Sequence, residues 1–351
     1  MARINDQMRK ERQQRTWVVV LLALAMVICA IIAASVGPVY ISPVETLGVI
    51  MYHFGLPIEV SWSRSTDVIV WVARLPRVVM ACAVGAILAV CGVALQAMVR
   101  NSLADPYILG INSGASTGAA LVILTPIAAF FGVIALPVFA FLGAMLATVL
   151  VLFLGGNSRL SPYRLILAGM AVGYALNSVT SFMIFASDSP EAARTVLFWL
   201  MGSLAAISWL TAVLTIIVAT MICFGLSLMS PILDALAEGD DASLALGIEP
   251  VRTRFFLLVI VALAIGVAVS GAGTIGFVGL VVPHLARGLV GHSHRYLLPA
   301  SVFLGATFLT LADIVARTLF APSEMALGVV TGVIGGPLLI ILMKHRVRSD
   351  A

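Results

Sequence analysis

A compact polar turn lies between two long uncharged stretches of this sequence. It spans Arg100 to Pro106 and reads RNSLADP. Gly110, Gly114 and Gly118 follow it at four-residue spacing, which places them on one face of the next predicted helix. A bilayer accepts irregular polar backbone only where protein or a water-filled cavity surrounds it. The turn therefore indicates a solute pathway through a membrane more than a simple anchor.

Few charged residues fall inside the apolar stretches, and this limits the chemistry available to the chain. An ion-coupled secondary transporter needs titratable groups near the membrane midplane, and Asp313 and Arg287 are the charged candidates. Two charged candidates are few for ion coupling, so an ion-coupled transporter stays only as the alternative from a different functional class. An enzyme needs a clustered acid, base, nucleophile or metal set, and none converges by spacing. We therefore expect a transport subunit with no catalytic residues.

Histidine and cysteine spacings do not predict a metal site. His284 follows a proline in a segment that we expect to be broken, where a hydrogen-bonded structural histidine is the favoured interpretation over a metal or haem ligand. His292 and His294 lack further ligands nearby. The cysteines lie inside apolar runs without metal-ligand spacing and are interpreted as packing residues. They are Cys29, Cys82, Cys91 and Cys223.

The overall composition is that of a polytopic membrane protein. Hydrophobic residues make up 61% of the chain and charged residues 10%, whereas soluble domains have about 45–50% and about 25%. The first apolar run, 17–36, follows five basic residues as a signal peptide would. Its apolar core is too long for a signal peptide and further spans follow, so we interpret it as a retained first helix.

Charge-free stretches, divided at proline, polar or glycine residues, predict ten spans and an all-α membrane fold. An even number places both termini on one side. With the termini inside, fourteen of the 20 Lys and Arg residues fall in inner segments, as expected for cytoplasmic loops of a membrane protein. The sequence thus predicts a single transmembrane domain, 1–351, with a cytoplasmic tail at 1–16. The predicted spans are 17–36, 78–99, 107–125, 128–154, 165–187, 209–230, 255–270, 275–291, 297–320 and 325–343.

Two longer connections interrupt the rhythm of helices and short loops. The extracytoplasmic loop 37–76 contains a predicted short helix that starts near Ser42, whose hydroxyl can cap it with Glu45 three residues on. The inner loop 231–254 reads as two short helices separated at Gly239 and ended by Gly247.

Two glycine-rich segments carry further predictions. The dense run 270–279 is unlike one smooth helix, so we expect a broken or re-entrant segment there. Gly328, Gly332 and Gly336 recur at four-residue spacing in the last span, and we expect them to permit close helix packing in lipid.

Seven segments occur in an order that resembles a known family. Together they are similar to the permease subunit of a type II ABC importer, the family that takes up ferric siderophores, haem and cobalamin. The resemblance covers the chain from about Arg74 to the C-terminus. The segments are Arg74 to Arg77, Arg100 to Pro106, Ala245 to Gly247, Ile275 to His284, His294 to Pro299, Ala312 to Arg317, and Glu324 to Pro337.

This resemblance implies an assembly of several subunits. The permease would form a homodimer or pair with a paralogue, bind two cytoplasmic ATPase subunits, and receive its cargo from an extracytoplasmic binding protein. The chain lacks a Gly-rich loop ending in Gly-Lys-Ser or Gly-Lys-Thr, so it cannot cradle nucleotide phosphates itself. We expect no cofactor on this chain, ATP and Mg²⁺ on the partner ATPase, and no nucleic-acid partner.

The resemblance also implies functional residues, each with a plainer alternative. The inner loop would couple the chain to the ATPase; the alternative is a solvated loop. Arginines at the outer span ends would dock the binding protein; the alternatives are headgroup snorkelling and, for Arg317, an ion pair with Asp313. A polar and apolar pair at each of two inner loops would gate the pathway; the alternative for the first pair is a helix cap with a packed leucine. The coupling residues are Leu236, Gly239, Asp240, Asp241, Ala242, Leu246 and Gly247, the docking residues Arg74, Arg77 and Arg317, and the gate residues Asn101, Leu103, Pro162 and Tyr163.

The cargo follows only from the resemblance. A ferric siderophore is the first expectation, haem the second and cobalamin the third, because the family serves them in that order of frequency. The pathway residues give no further discrimination.

Overall fold

Helices account for all the regular secondary structure in the part of the chain that the structure describes. The computed structural model describes residues 2–155 and 162–349. The helices of the first half are α1 (Ala2–Ser35), α2 (Pro43–His53), α3 (Arg64–Asp67), α4 (Leu75–Val99), α5 (Ile111–Leu124), α6 (Ile127–Phe131), α7 (Ala135–Gly155) and α8 (Pro162–Phe185). Those of the second half are α9 (Pro190–Leu200), α10 (Trp209–Leu228), α11 (Ser230–Glu238), α12 (Asp240–Ala245), α13 (Pro250–Ala272), α14 (Val278–Val290), α15 (His294–Thr318) and α16 (Leu327–Ser349).

Each of the ten predicted spans contains one main apolar helix, and the span 128–154 also includes most of the short helix α6. Among the described residues, seven helical segments are long and apolar enough to cross a membrane. The other three predicted spans are the shorter apolar helices α5, α14 and the apolar part of α16. The prediction of an all-α membrane fold is therefore confirmed.

The first two membrane helices begin earlier than the charge-free stretches predicted. α1 starts at Ala2, and its polar first turns carry the pairs Asp6–Lys10 and Glu11–Arg15 at helical spacing, 3.7 and 3.8 Å. A continuous helical segment, which includes a π-helical stretch over Val68–Arg74, runs from Arg64 to Val99. The predicted loop 37–76 therefore contains the beginning of this helix. The search for charge-free stretches missed it because the end of a membrane helix can carry charged residues that find partners.

α4 is the centre of the bundle. Nearly all of its residues are buried, and it packs against α10, α13, α14 and α15. α1 covers α15 on one side, while α5, α7 and α8 form a second group that α13 joins to α4. The polar turn after α4 thus lies where the two groups of helices meet.

Glycine allows α5 to approach α7 closely. A β-carbon at Gly114 would lie 2.2 Å from the carbonyl oxygen of Gly143, and one at Gly118 would lie 2.0 Å from that of Phe139. Backbone atoms cannot move aside, so only glycine fits at these two positions. In lipid, such close contact is a main source of helix association, and the predicted glycine-lined face of α5 is the face that packs.

The glycine-rich run 270–279 is broken, as predicted. α13 ends at Ala272 and α14 begins at Val278, with non-helical backbone between them. Phe277 has a positive φ of 69°, which is rare for a bulky residue. In the last span, Gly328 contacts the backbone of Met201, which lies in the turn after α9 and not in a helix. Gly336 has open space where a β-carbon would stand, and Gly335 packs against Phe277 instead.

Candidate functional site

The three predicted docking arginines lie together where α4 begins and α15 ends. The Nε of Arg77 donates to both carboxylate oxygens of Asp313, at 2.8 and 3.1 Å. Its Nη1 donates to both oxygens of Glu324, at 2.9 Å each. Arg317 lies 3.5 Å from the second Asp313 oxygen, one helical turn away. We call Arg74, Arg77, Asp313, Arg317 and Glu324 the arginine cluster.

The cluster also holds the C-terminal end of α1. Arg74 donates to the carbonyl oxygens of Ala34 and Ser35, at 3.2 and 2.6 Å, and Arg317 donates to that of Ala33. These carbonyls belong to the last turn of α1, where no intrahelical donor remains and the helix dipole favours positive charge. Two of the arginines therefore serve as caps for another helix.

Burial separates the arginine cluster from a simple surface patch. Arg74, Arg77 and Arg317 are 6%, 8% and 3% exposed, so all three side chains are committed to groups of their own chain. The ion pair between Arg317 and Asp313 that the sequence left open is present. Glu324, with 35% of its side chain exposed, is the accessible member. Docking to a binding protein stays a prediction.

The polar turn at 100–106, here called the gate turn, is held by specific backbone contacts. Arg100 adopts the left-handed conformation with φ 52° and ends α4. The Asn101 side-chain oxygen accepts from the amide of Leu103 at 2.9 Å. The Asp105 carboxylate accepts from the amide of Tyr107 at 2.8 Å, while desolvation by burial raises the pKa of Asp105 to about 6.

The predicted gate residues lie at the ends of two helices. Asn101 and Leu103 follow α4, and Pro162 and Tyr163 begin α8. The alternative of a helix cap with a packed leucine is wrong: Arg100 is the C-cap of α4 and Asp105 caps the short helical turn that starts at Pro106. Asn101 closes a local turn on the amide of Leu103, whose side chain is exposed. Tyr163 is exposed as well. The remainder of the second loop, including Ser161, lies outside the described residues, and the gating role of all four residues stays a prediction.

Side chains connect the gate turn to the broken segment before α14. Gln96 donates to the carbonyl oxygens of Ala104 and Gly279, at 3.2 and 3.3 Å. The Tyr107 hydroxyl donates to the carbonyl of Ile275 and accepts from the amide of the same residue. An open cavity of about 510 Å³ lies beside the turn between α5 and α8, with Tyr107, Ser113, Tyr174 and Asn177 in its wall. Sequence reasoning missed Gln96 and Tyr107, because both stand inside predicted spans as ordinary packing residues.

The inner loop folds as the two short helices that its glycines predicted. Gly239, with φ 127°, separates α11 from α12, and Gly247, with φ 76°, follows α12. The Ser243 hydroxyl donates to the carbonyls of Ala235 and Gly239, at 3.0 and 2.9 Å, and so ties α12 to α11. The pair is a compact unit.

The predicted coupling residues divide between the inside and the outside of this α11–α12 pair. Leu236 is fully buried, whereas Asp241 is exposed and Leu246 is 69% exposed. Leu244, which the sequence did not single out, is also exposed, and together with Leu246 it makes an apolar edge. Asp240 faces Arg254, whose hydrogen bonds lower the pKa of this carboxyl. Coupling stays a prediction.

Within residues 2–155 and 162–349, histidine, cysteine and carboxylate side chains form no group of three that could hold a metal ion. The four cysteines are free thiols, two buried and two partly buried. Asp313 is neutralised by Arg77 and Arg317.

Comparisons with known proteins agree on one class. The model of the FecCD transport family matches residues 22–345. The chain is 36% identical to the vitamin B12 import system permease BtuC of Vibrio cholerae, over 96% of each protein. It is 34% identical to the Fe(3+)-citrate import system permease YfmE of Bacillus subtilis, over 95% of this chain and 96% of the relative. It is 36% identical to the hemin transport system permease HmuU of Yersinia pestis, over 85% and 92%.

A solved structure has the same fold over nearly the whole chain. It is an inward-facing ABC transporter of metal-chelate type, with a TM-score of 0.82 and 30% identity, covering 94% of this chain and 99% of that one.

Proposed function

The chain belongs to the FecCD transport family, the permease subunits of ABC importers for iron chelates, haem or cobalamin, and we propose that its own cargo is a ferric chelate of the siderophore type. The likeness to a metal-chelate type transporter over 94% of the chain supports a metal chelate as the cargo. The choice of a siderophore within this class rests on how often the family serves each cargo. The names of the relatives share this chemistry, since ferric citrate, haemin and vitamin B12 are all metal chelates. Haem and cobalamin are the alternative cargoes.

The proposed route for the cargo passes the cavity between α5 and α8. Its wall combines glycine and apolar residues with the hydroxyl and amide groups of Ser113, Tyr174 and Asn177. Such a surface offers weak contacts to a bulky solute, which must bind loosely enough to leave. Asn101, Leu103, Pro162 and Tyr163 close the route at the cytoplasmic side in this proposal.

Energy for transport comes from partners in this proposal. Two ATPase subunits, each with ATP and Mg²⁺, engage the α11–α12 pair of two permease chains, either two copies of this chain or this chain and a paralogue. The exposed apolar edge of Leu244 and Leu246 is the surface that supports this contact. The complex lies in a bacterial plasma membrane with both termini in the cytoplasm.

The binding protein docks at the arginine cluster in this proposal. A carboxylate of the binding protein would take the place of the partly exposed Glu324 on Arg77. Glu324→Gln removes the charge of this internal competitor, so we expect tighter association with the binding protein at low salt. Glu59→Gln, at an exposed acidic site in the loop between α2 and α3, is the control. Equal affinity of the two variants for the binding protein would show that docking does not involve Arg77.

The experiment that tests the cargo is ligand binding by the binding protein, after co-purification of the permease in detergent with its ATPase and binding protein. Calorimetry with a ferric hydroxamate, haemin and cyanocobalamin separates the three cargoes. Tight binding of the ferric hydroxamate supports the proposal, whereas selective binding of haemin or cyanocobalamin replaces it. Failure to capture any ATPase would contradict the proposed partners.

A further inference from the structure

One buried guanidinium connects the inner loop to the end of α4. Arg254 lies in the second turn of α13 and is 1% exposed. Its Nη1 and Nη2 donate to the two carboxylate oxygens of Asp240, with Nη1 at 3.1 Å. Its Nε donates to the carbonyl oxygen of Met98 at 3.1 Å. The fork of Arg254 thus joins the first residue of α12 to the last turn of α4.

Both ends of this connection lie next to elements to which the proposed function gives a role in the transport cycle. Met98 precedes Arg100, the left-handed residue from which the gate turn departs. Asp240 follows Gly239, which separates α11 from α12. A β-carbon at Gly239 would lie 3.3 Å from Nη1 of Arg100, so the gate turn and the α11–α12 pair also approach each other directly.

The connection continues from α4 into the gate turn and beyond it. Gln96 joins the last turns of α4 to Ala104 inside the turn and to Gly279 in α14. Tyr107, the residue after the turn, is bonded to Ile275. A displacement of α12 would therefore reach the gate turn through directional hydrogen bonds. Arg254 binds both carboxylate oxygens of Asp240, and the Gln96 amide group donates to two carbonyls.

Arginine is suited to this task for a physical reason. Its planar guanidinium holds a carboxylate in a fixed orientation and can use its remaining N–H group elsewhere at the same time. A lysine at this position would keep the charge but would lose the fixed geometry. Coupling between distant sites can travel through such a set of contacts when one of the elements has two arrangements that both sites bias.

We propose that Arg254 is a positioning residue that transmits movement of the α11–α12 pair to the gate turn through Asp240 and Met98. The proposal rests on the proposed function, in which the ATPase engages α11–α12. It adds that the signal leaves this pair through one guanidinium rather than through the general packing of α11 on α4. The variants below separate the two statements.

The test uses the assembled permease and ATPase in proteoliposomes, with MgATP as the only added ligand. In a background without the four native cysteines, Leu103→Cys reports the gate turn through its rate of labelling by a maleimide. The variants are Asp240→Asn and Arg254→Lys. Arg252→Lys is the matched control, because Arg252 is on the same helix turn but is exposed and lies over the ring of Phe256.

We expect MgATP to change the labelling rate in the parent and in Arg252→Lys. In Asp240→Asn and Arg254→Lys this change should shrink by about fivefold or more, while ATP hydrolysis continues. A merely structural role would lower the melting temperature without separating hydrolysis from labelling. Asp240→Asn keeps the buried arginine and its bond to Met98, so it remains informative if Arg254→Lys does not fold.

Two outcomes overturn the proposal. One is an unchanged response to MgATP in Asp240→Asn, and the other is an equal loss in Arg252→Lys. Failure of the proposed function is recognised separately with Leu246→Glu, which changes the apolar edge and leaves Arg254 in place. If Leu246→Glu still captures the ATPase normally, the coupling surface is wrong, whatever the behaviour of Asp240→Asn.

Discussion

Asp313 shows how one buried carboxylate can organise several cations. It is 1% exposed and lies between Arg77 and Arg317, while Arg74 and Arg317 cap the end of α1 nearby. Removing one partner of a buried ion pair is costly because the remaining charge stays out of water. The same residue was the main candidate for ion-coupled transport, and its two arginine partners explain its presence without such coupling.

At the residue scale, we predict that Asp313→Asn destabilises the protein by about 3–5 kcal/mol, since Arg317 would retain only a carbonyl partner. The measurement is thermal unfolding in detergent, followed by the fluorescence of a thiol-reactive dye. Glu59→Gln, at an exposed site, should leave the transition in place. A transition unchanged in Asp313→Asn would mean that the arginines do not depend on this carboxylate.

Asp105 gives a prediction of pH dependence. Its folded pKa of about 6 lies above the usual value of about 3.9, because burial disfavours the carboxylate. The folded state therefore binds more protons than the unfolded state between these values, and stability falls as the pH rises from about 4 to about 6.

Asp105→Asn should remove this dependence and raise the melting temperature at pH 7.5. The amide oxygen can still accept from Tyr107, so the turn keeps its hydrogen bond. Melting curves of both proteins between pH 4.5 and 7.5 provide the measurement. A variant that melts lower than the parent at pH 7.5 would show that the turn needs the negative charge.

At the scale of elements, close contact between helices decides which glycines matter. Gly114 on α5 lies against the backbone of α7, whereas Gly225 on α10 has open space where a β-carbon would stand. The contact matters for function because α5 follows the gate turn directly. Any shift of α5 would move the turn and one wall of the cavity.

We therefore predict opposite effects for two identical substitutions. Gly225→Ala should be neutral or stabilising by up to about 1 kcal/mol, because alanine is the better helix former. Gly114→Ala should be destabilising, because its methyl group would collide with the Gly143 carbonyl oxygen. Paired melting temperatures and cargo uptake by cells compare the two. Equal behaviour would argue against the α5–α7 contact.

At the scale of the whole molecule, the exposed surface tells where partners are needed. The inner loop is folded against α4 and α15, yet it leaves Leu244 and Leu246 exposed at one edge. Apolar side chains beyond the end of a membrane bundle gain stability when a soluble partner covers them. This is the surface on which an ATPase subunit would fit.

We predict that Leu246→Glu reduces capture of the ATPase by about tenfold or more, since a charge would have to be buried in the contact. Co-purification at matched expression is the measurement. The control is Glu238→Gln, an exposed substitution at the end of α11 that leaves the apolar side chains of the edge unchanged. Undiminished capture by Leu246→Glu would place the contact elsewhere.

The sequence alone determined the class, the ten helical spans and most of the breaks between them. Hydropathy depends on composition along the chain, and breaks such as Gly239, Gly247 and the run 270–279 follow from local backbone preference. The spacing of Asp313 and Arg317 likewise indicated their ion pair, because residues four apart meet on any helix.

Only the tertiary structure decided what the polar residues contact. Glu324 reaches Arg77 from a loop more than 240 positions away. Arg254 on α13 likewise contacts Met98 on α4, 156 positions away in the sequence. The tertiary structure also showed that the predicted docking arginines are buried and that Leu236 faces inward while Leu244 faces out. Such facts depend on how helices distant in sequence pack together, and this packing is set by the shape of the whole bundle rather than by any local pattern.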